Sequence, residues 1–118
     1  MRVWTWQYAE TLFAKEERNE VIKLAYKILI GAITNQWEEL ICTSEHLVLR
    51  HQDRADKSFN LLYPYQRISF RDAFETILER DPIMRSYFQL EAQTDMRAVY
   101  RITQQSDVDF SSTRIPYE

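Results

Sequence analysis

Hydrophobic residues recur at helical spacing in the first third of this chain. From Lys15 to Ile33, the apolar and small residues at 3-4 spacing are Val21, Leu24, Ala25, Ile28, Gly31 and Ala32. Glu16, Glu20, Lys23 and Lys27 lie on the opposite side at compatible spacing. This pattern predicts an amphipathic helix over about 15–33. Because Ile22, Leu29 and Ile33 widen its apolar stripe, we expect more than one side to be covered, by the fold or by a partner.

The same periodicity predicts a helix over about 70–80. Ser69 can cap its start, Asp72 suits its first turn, and the apolar positions are Phe70, Ala73, Phe74, Ile77 and Leu78. Asp81 followed by Pro82 is typical of a cap and a first helical position, so a short helix is predicted to continue toward Tyr87.

A third helix is predicted over about 36–50, with a less decisive pattern. Asn35 can cap its start, and Glu38 follows three residues later. One helical face would carry Trp37, Leu40, Ile41, Ser44, Leu47, Val48 and His51. The end of this stretch, residues 46–51, is compatible with a strand as well.

Alternation of apolar and polar residues predicts strands near both ends of the chain. Apolar and polar residues alternate along residues 87–103, on both sides of a polar turn at Thr94 and Asp95. This pattern predicts a hairpin of strands at about 86–93 and 97–103. A hairpin needs a third strand for stability, and residues 2–9 alternate with Trp4, Trp6 and Tyr8 on one side. We expect this aromatic side to be buried; a helix through Trp4, Tyr8 and Leu12 is the alternative.

The predicted fold is therefore a single α+β domain, with a small antiparallel sheet that has its helices packed on one face. A mostly-α bundle is the alternative. Residues 52–64 are dense in polar side chains and are predicted to form a loop, of which the apolar part from Phe59 to Tyr65 packs on the body as an extended segment. Residues 104–118 are predicted to form a docked or flexible tail.

Composition narrows the class of protein. The single glycine, Gly31, excludes a P-loop or a dinucleotide fingerprint, both of which need several glycines. The single cysteine, Cys42, excludes an intrachain disulfide and a cysteine-based zinc site, and its neighbours predict a small buried residue rather than a nucleophile. With no signal peptide and no apolar run of membrane-spanning length, we expect a reduced, soluble, cytoplasmic protein.

No catalytic, cofactor-binding or metal-binding motif is predicted. His46 and His51 are five residues apart, a spacing that places them on different sides of a helix or a strand. His51 and Asp53 could form a His–Asp pair, but nothing near them resembles a nucleophile elbow. Most of the paired carboxylates, Glu38–Glu39, Glu75–Glu79 and Asp107–Asp109, fall on sides assigned to solvent.

Charge is unevenly distributed along the chain. The whole chain carries a net charge of −3, whereas residues 46–71 hold five basic and two acidic side chains among several aromatic ones. The residues predicted to bind a partner are Arg50, Arg54, Phe59, Tyr63, Tyr65 and Arg67. Basic and aromatic side chains together suit an acidic protein surface, or single-stranded nucleic acid through stacking.

Three functions are compatible with these observations. The leading hypothesis is a small non-enzymatic protein-interaction module (a regulator, inhibitor, assembly factor or adaptor). Its exposed apolar surface would be the stripe from Val21 to Ile33 or the segment Phe59–Tyr65, and a homodimer would cover either. The first alternative is nucleic-acid binding, or binding of another anionic partner, through residues 46–71. The second is a small enzyme or ligand binder that uses His46 or His51.

Overall fold

The computed structural model describes residues 2–13, 19–43, 46–60, 70–103 and 108–109. It is an α+β fold built on a five-stranded antiparallel sheet with strand order β4-β3-β2-β6-β5. The elements are β1 (Arg2–Val3), α1 (Trp6–Phe13), α2 (Asn19–Thr34), β2 (Glu39–Cys42), β3 (His46–His51), β4 (Arg54–Asn60), α3 (Phe70–Arg80), α4 (Pro82–Arg85), β5 (Phe88–Gln93), β6 (Ala98–Ile102) and β7 (Val108–Asp109). The short strands β1 and β7 pair in parallel in a separate two-stranded sheet.

The strongly periodic segments fold as predicted. Helix α3 spans the predicted residues 70–80, and α2 covers the described part of the predicted helix 15–33. Asp81 caps α4 with Pro82 in the first turn. Strands β5 and β6 form the predicted hairpin, with a β-bulge between Leu90 and Ala92. The α+β fold class is thus confirmed, and the mostly-α alternative is not supported.

The prediction of a strand over residues 2–9 is wrong, although the prediction that its aromatic side chains are buried is confirmed for Trp4 and Trp6. Only Arg2–Val3 is a strand, and α1 begins at Trp6. Thr5 is the helix cap, because its hydroxyl oxygen accepts a hydrogen bond from the backbone N–H of Tyr8 at 3.1 Å. Trp4 and Trp6 are both buried. Trp6 therefore enters the core from the first turn of α1, and Trp4 enters it from the residue before the Thr5 cap.

The prediction of a helix over residues 36–50 is also wrong, since this segment forms β2 and β3. Leu40 pairs with Leu49 and Cys42 with Leu47 across the two antiparallel strands. These four residues are buried, while the residues between them are only partly buried. Asn35 does not cap a new helix but belongs to the end of α2, where its side chain donates a hydrogen bond to the Gly31 carbonyl.

The predicted loop at 52–64 is a strand over Arg54–Asn60, which forms the β4 edge of the sheet. Its side chains are exposed except for Phe59, which is half-buried. An exposed strand lacks the apolar alternation that predicts strands, and this explains the error. The remainder of the predicted extended segment, 61–65, lies outside the described residues, as does most of the predicted tail 104–118.

The described helices pack on one face of the sheet, called here the inner face. The core joins the inner-face residues of β2, β3, β5 and β6 to α1, α2, α3 and α4. The apolar stripe of α2 is part of this core, with Val21, Ala25 and Ile28 all buried. The hypothesis that this stripe is an exposed partner-binding surface is therefore wrong; its breadth serves packing on two sides.

The C-terminus of α2 ends in a Schellman motif. The backbone N–H of Gln36 donates to the Ile33 carbonyl and that of Trp37 donates to the Ala32 carbonyl, at 3.1 and 3.0 Å. Gln36 adopts a left-handed conformation with φ of 58°, where glycine is favoured because it has no Cβ. The one glycine of the chain, Gly31, lies instead within α2, where an added Cβ would meet open space.

A fully buried carboxylate, that of Asp81, ties three parts of the helical layer together. Its Oδ2 accepts hydrogen bonds from Trp4 Nε1 at 3.0 Å and from the Tyr26 hydroxyl at 2.7 Å. Its Oδ1 accepts from the backbone N–H groups of Ile83 and Met84 at 3.0 and 3.1 Å. Burial and the neighbouring Asp81 raise the pKa of Tyr26 well above its usual value, so the hydroxyl remains a donor.

The glycine positions lead to a stability prediction. Gln36→Gly should stabilise the fold by about 1 kcal/mol, because it removes the cost of a left-handed non-glycine residue. Gly31→Ala should add about 0.8–1 kcal/mol through helix propensity alone. Urea unfolding of both variants and the double variant measures these effects, which should be additive. A destabilised Gln36→Gly protein would contradict the assigned conformation.

The Asp81 network leads to a second prediction. Asp81→Asn leaves at least one buried N–H without an acceptor, whichever way the amide is oriented, and should lower the free energy of unfolding by ~2–4 kcal/mol. Tyr26→Phe removes one donor and no acceptor, so it should cost only about 1 kcal/mol. Denaturant unfolding followed by tryptophan fluorescence compares the two. Equal losses in both variants would contradict the role given to Asp81.

Candidate functional site

The face of the sheet opposite the core, called here the outer sheet face, carries an apolar row. Ile41 pairs with Val48 on one side and with Val99 on the other, so the three side chains lie side by side across β3, β2 and β6. Ser58 and Ala92 extend the row to the two edge strands. The row therefore crosses the full width of the sheet.

The apolar row is separate from the core. Val99 is buried, and Ile41 and Val48 are half-buried, yet none of the three belongs to the core cluster formed by the inner face and the helices. In an antiparallel sheet with one solvated face, polar residues normally occupy that side. Branched aliphatic residues in this position mark the outer sheet face as unusual for a surface that meets only water.

A charged row runs beside the apolar one. Glu39 pairs in register with Arg50 and Arg101 on its two sides. The Arg50 Nε lies 3.2 Å from Asp56 Oδ2, and the Arg101 Nε lies 3.2 Å from Glu91 Oε1. Because these pairs are solvent-exposed, each contributes little to stability, roughly 0–1 kcal/mol. Their main effect is to hold the arginine side chains across the sheet.

The charged row borders a shallow depression of about 420 Å³, called here the charged depression. It is lined by Glu38, Glu39, Arg50, His51, Gln52, Asp56, Glu91 and Arg101. Four carboxylates face two guanidinium groups, so the lining carries a net charge of −2 with histidine neutral. The surface is acidic although two arginines lie within it.

Only one of the described residues predicted to bind a partner lies on the outer sheet face. This residue is Arg50, which is already paired with Asp56. Arg54 donates a hydrogen bond to the Asn35 carbonyl at 2.7 Å and lies over the Trp37 ring at 4.9 Å, so it fastens β4 to the end of α2. Phe59 packs against the core from the inner face. Tyr63, Tyr65 and Arg67 lie outside the described residues.

The two histidines do not form one site. They occupy the first and last positions of β3, roughly 17 Å apart at the rise of an extended strand. His46 Nδ1 lies 2.7 Å from Asn60 Oδ1, whereas His51 Nδ1 accepts a hydrogen bond from the backbone N–H of Asp53 at 3.0 Å. His51 is the one that borders the charged depression. Within the described ranges, no group of three His, Cys, Asp or Glu side chains could hold a metal ion.

Cys42 is buried, as its sequence context predicts. Burial raises the pKa of its thiol to about 11, although nearby Arg71 acts in the opposite direction. Burial likewise raises the pKa of Tyr100 to about 12. A buried thiol with a raised pKa is a poor nucleophile at neutral pH, and this fits its position on the inner face.

Sequence reasoning missed most residues of the outer sheet face, above all Ile41, Val48 and Val99. The signal was available in part, because residues 46–51 are compatible with a strand. Adjacent apolar pairs at 40–41 and 47–48 are seven residues apart, and such spacing satisfies a helix as well as a strand that is apolar on both faces.

Comparisons with protein-family models, with curated proteins and with solved structures found no match to this chain. No helix in the described part of the chain is long and apolar enough to cross a membrane.

The buried thiol predicts a loss of stability at alkaline pH. The unfolded chain releases the Cys42 proton near the ordinary pKa of 9.0, whereas the folded chain holds it up to about 11. Stability should therefore be complete below pH 9 and fall by about 2 kcal/mol between pH 9 and 11. Urea unfolding across this range measures the loss. Cys42→Ala should remove the thiol's share of this loss, most clearly between pH 9 and 10, because the raised pKa values of Tyr26 and Tyr100 add a loss of their own above the ordinary tyrosine pKa of 10.0. An equal loss in both proteins between pH 9 and 10 would contradict the assignment.

Proposed function

We propose that this chain is a non-enzymatic protein-interaction module that docks on a partner through its outer sheet face. The observation that carries the proposal is the apolar row of Ile41, Val48 and Val99, which lies apart from the core and beside a charged row. Protein interfaces combine an apolar centre with a polar, charged rim, and this arrangement has both parts. A sheet face is also rigid, which lowers the entropy cost of binding.

The charge of the site favours a basic partner. The charged depression has two negative charges in excess, and the whole chain carries a net charge of −3. A partner surface with lysine or arginine around an apolar patch would complement this field and associate faster at low salt. A second copy of the chain would bring the same acidic excess to the interface, and the two surfaces would repel each other. The charge therefore argues against a homodimer through this face.

The other two functions have weaker support. Nucleic-acid binding requires basic side chains that are free to neutralise phosphates. Here Arg50 is paired with Asp56, and Arg71 is paired with Glu75. Catalysis by His51 would use the charged depression, where Nδ1 already accepts the Asp53 backbone N–H. The surface has an acidic excess and an apolar row, and both features suit docking better than either alternative.

Two sets of variants test the docking surface. Ile41→Thr with Val48→Thr keeps β-branched side chains in the strands but makes the apolar row polar, and should weaken partner binding by about tenfold or more. Glu39→Gln with Glu91→Gln removes two acidic charges and should weaken binding at low salt while reducing its salt dependence. The measurement is the amount of partner that each variant captures at two salt concentrations.

Matched controls separate docking from general effects. Glu20→Gln with Glu79→Gln makes the same charge change on exposed helix positions and should leave capture unchanged. Circular dichroism verifies that each variant is folded. Capture that is insensitive to both outer-face sets would refute the proposal. A dimer seen by light scattering and lost in the Thr variant would assign the face to a second copy and refute the basic partner.

A further inference from the structure

A pocket of about 180 Å³ lies between α1 and α2, away from the outer sheet face. Trp6, Ala9 and Phe13 of α1 and Ile22 and Tyr26 of α2 form its walls, and Glu10 and Lys23 complete its lining. The five wall residues are buried, whereas Glu10 is exposed and Lys23 half-exposed. The pocket is therefore apolar inside with one acidic and one basic group at its mouth.

The spacing of residues along α1 creates this space. Trp6, Ala9 and Phe13 follow one another at i, i+3 and i+7, so all three face α2. The rings of Trp6 and Phe13 are two turns apart, about 10 Å along the helix axis. Ala9 lies between them with only a methyl group. Two large rings with a small residue between them leave an opening that a larger side chain would close.

The aromatic walls meet close to right angles. The Tyr26 ring centroid lies 5.9 Å from that of Trp6 at an interplanar angle of 79°, and 6.0 Å from that of Phe13 at 76°. Tyr26 is held in place by its hydrogen bond to Asp81, and Trp4 packs against Trp6 at 5.0 Å. The three rings thus form a fixed aromatic box before any ligand enters, which lowers the cost of binding.

Among the described residues, the formal charges around the pocket cancel. Glu10 at the mouth and Asp81 beyond Tyr26 are acidic, while Lys23 at the mouth and Arg80 over Phe13 are basic. The rings therefore decide which ligand charge is favoured. Aromatic faces carry negative quadrupole potential, and boxes of several rings attract cations, above all methylated ammonium groups that water solvates weakly.

We propose that this pocket binds a methylated ammonium group, as found in choline and in trimethylated lysine. The N-methyl groups would contact Trp6, Phe13 and Tyr26, and the Glu10 carboxylate would lie on the side that faces solvent. A ligand that fills the pocket would gain packing contacts with these rings as well as cation–π attraction. This site is independent of docking through the outer sheet face.

Choline and its neutral isostere 3,3-dimethyl-1-butanol are the first probes. They share size and shape and differ in charge, so titration followed by saturation-transfer NMR of the methyl protons isolates the cation–π contribution. Choline should bind at least several-fold more tightly than the alcohol. Equal binding of both, or no binding of either, would overturn the proposal.

Blocked Nε-trimethyl-lysine identifies the source of the group. Tighter binding than choline assigns the pocket to a modified protein side chain, and weaker binding assigns it to a free or lipid-linked choline group; both outcomes support the shared chemistry.

Three single variants test how charge at the mouth affects choline binding and whether choline binds in this pocket. Glu10→Gln should weaken choline binding and Lys23→Gln should strengthen it, by about 2- to 5-fold each, because they remove opposite charges at the mouth. Ala9→Leu should abolish binding by filling the space between the two rings while retaining a good helix former. Stronger choline binding to Glu10→Gln with weaker binding to Lys23→Gln would overturn the proposal. Undiminished binding to folded Ala9→Leu would overturn it as well.

Discussion

The helical layer of this protein depends on one buried carboxylate. Asp81 is inaccessible to solvent, and each of its side-chain oxygens accepts two hydrogen bonds. Burying a carboxylate is costly unless donors replace its water, so the four donors must be in place for the fold to be stable. They come from the N-terminal segment, from α2 and from the first turn of α4. One side chain thereby fixes the relative positions of segments that are distant in sequence.

The same carboxylate connects the helical layer to the sheet. Helix α4, which Asp81 caps, leads directly into β5, and its end is held by Thr103 just beyond β6. The Thr103 backbone N–H donates to the Tyr87 carbonyl at 2.8 Å and its hydroxyl donates to the Ser86 carbonyl at 3.0 Å. On the other side, Trp4 and Tyr26 pack with Trp6 in the aromatic cluster. The aromatic pocket and the sheet are thus held by one network.

Much of the fold could be predicted from the sequence where local signals agreed. Helix α3 combines apolar spacing with the Asp81–Pro82 signal that follows it, and the β5–β6 hairpin combines alternation with a polar turn. The N-terminal segment could not be predicted correctly, because its alternating aromatic residues resemble a strand. Its helix depends on Thr5 as a cap and on core partners from α2 and Asp81. Such long-range contacts are invisible to local periodicity, and tertiary packing overrides propensity in such segments.

The error at residues 36–50 has a different and more informative cause. The predicted helical face includes two adjacent apolar pairs, Leu40 with Ile41 and Leu47 with Val48. In the sheet, the leucines face the core, and Ile41 and Val48 face outward beside Val99. A strand with an ordinary polar outer side would have alternated and would have been recognised. The residues that obscured the strands are therefore those of the apolar row. Functional surfaces are where local sequence rules are expected to fail, and this agreement supports the proposal that the outer sheet face binds a partner.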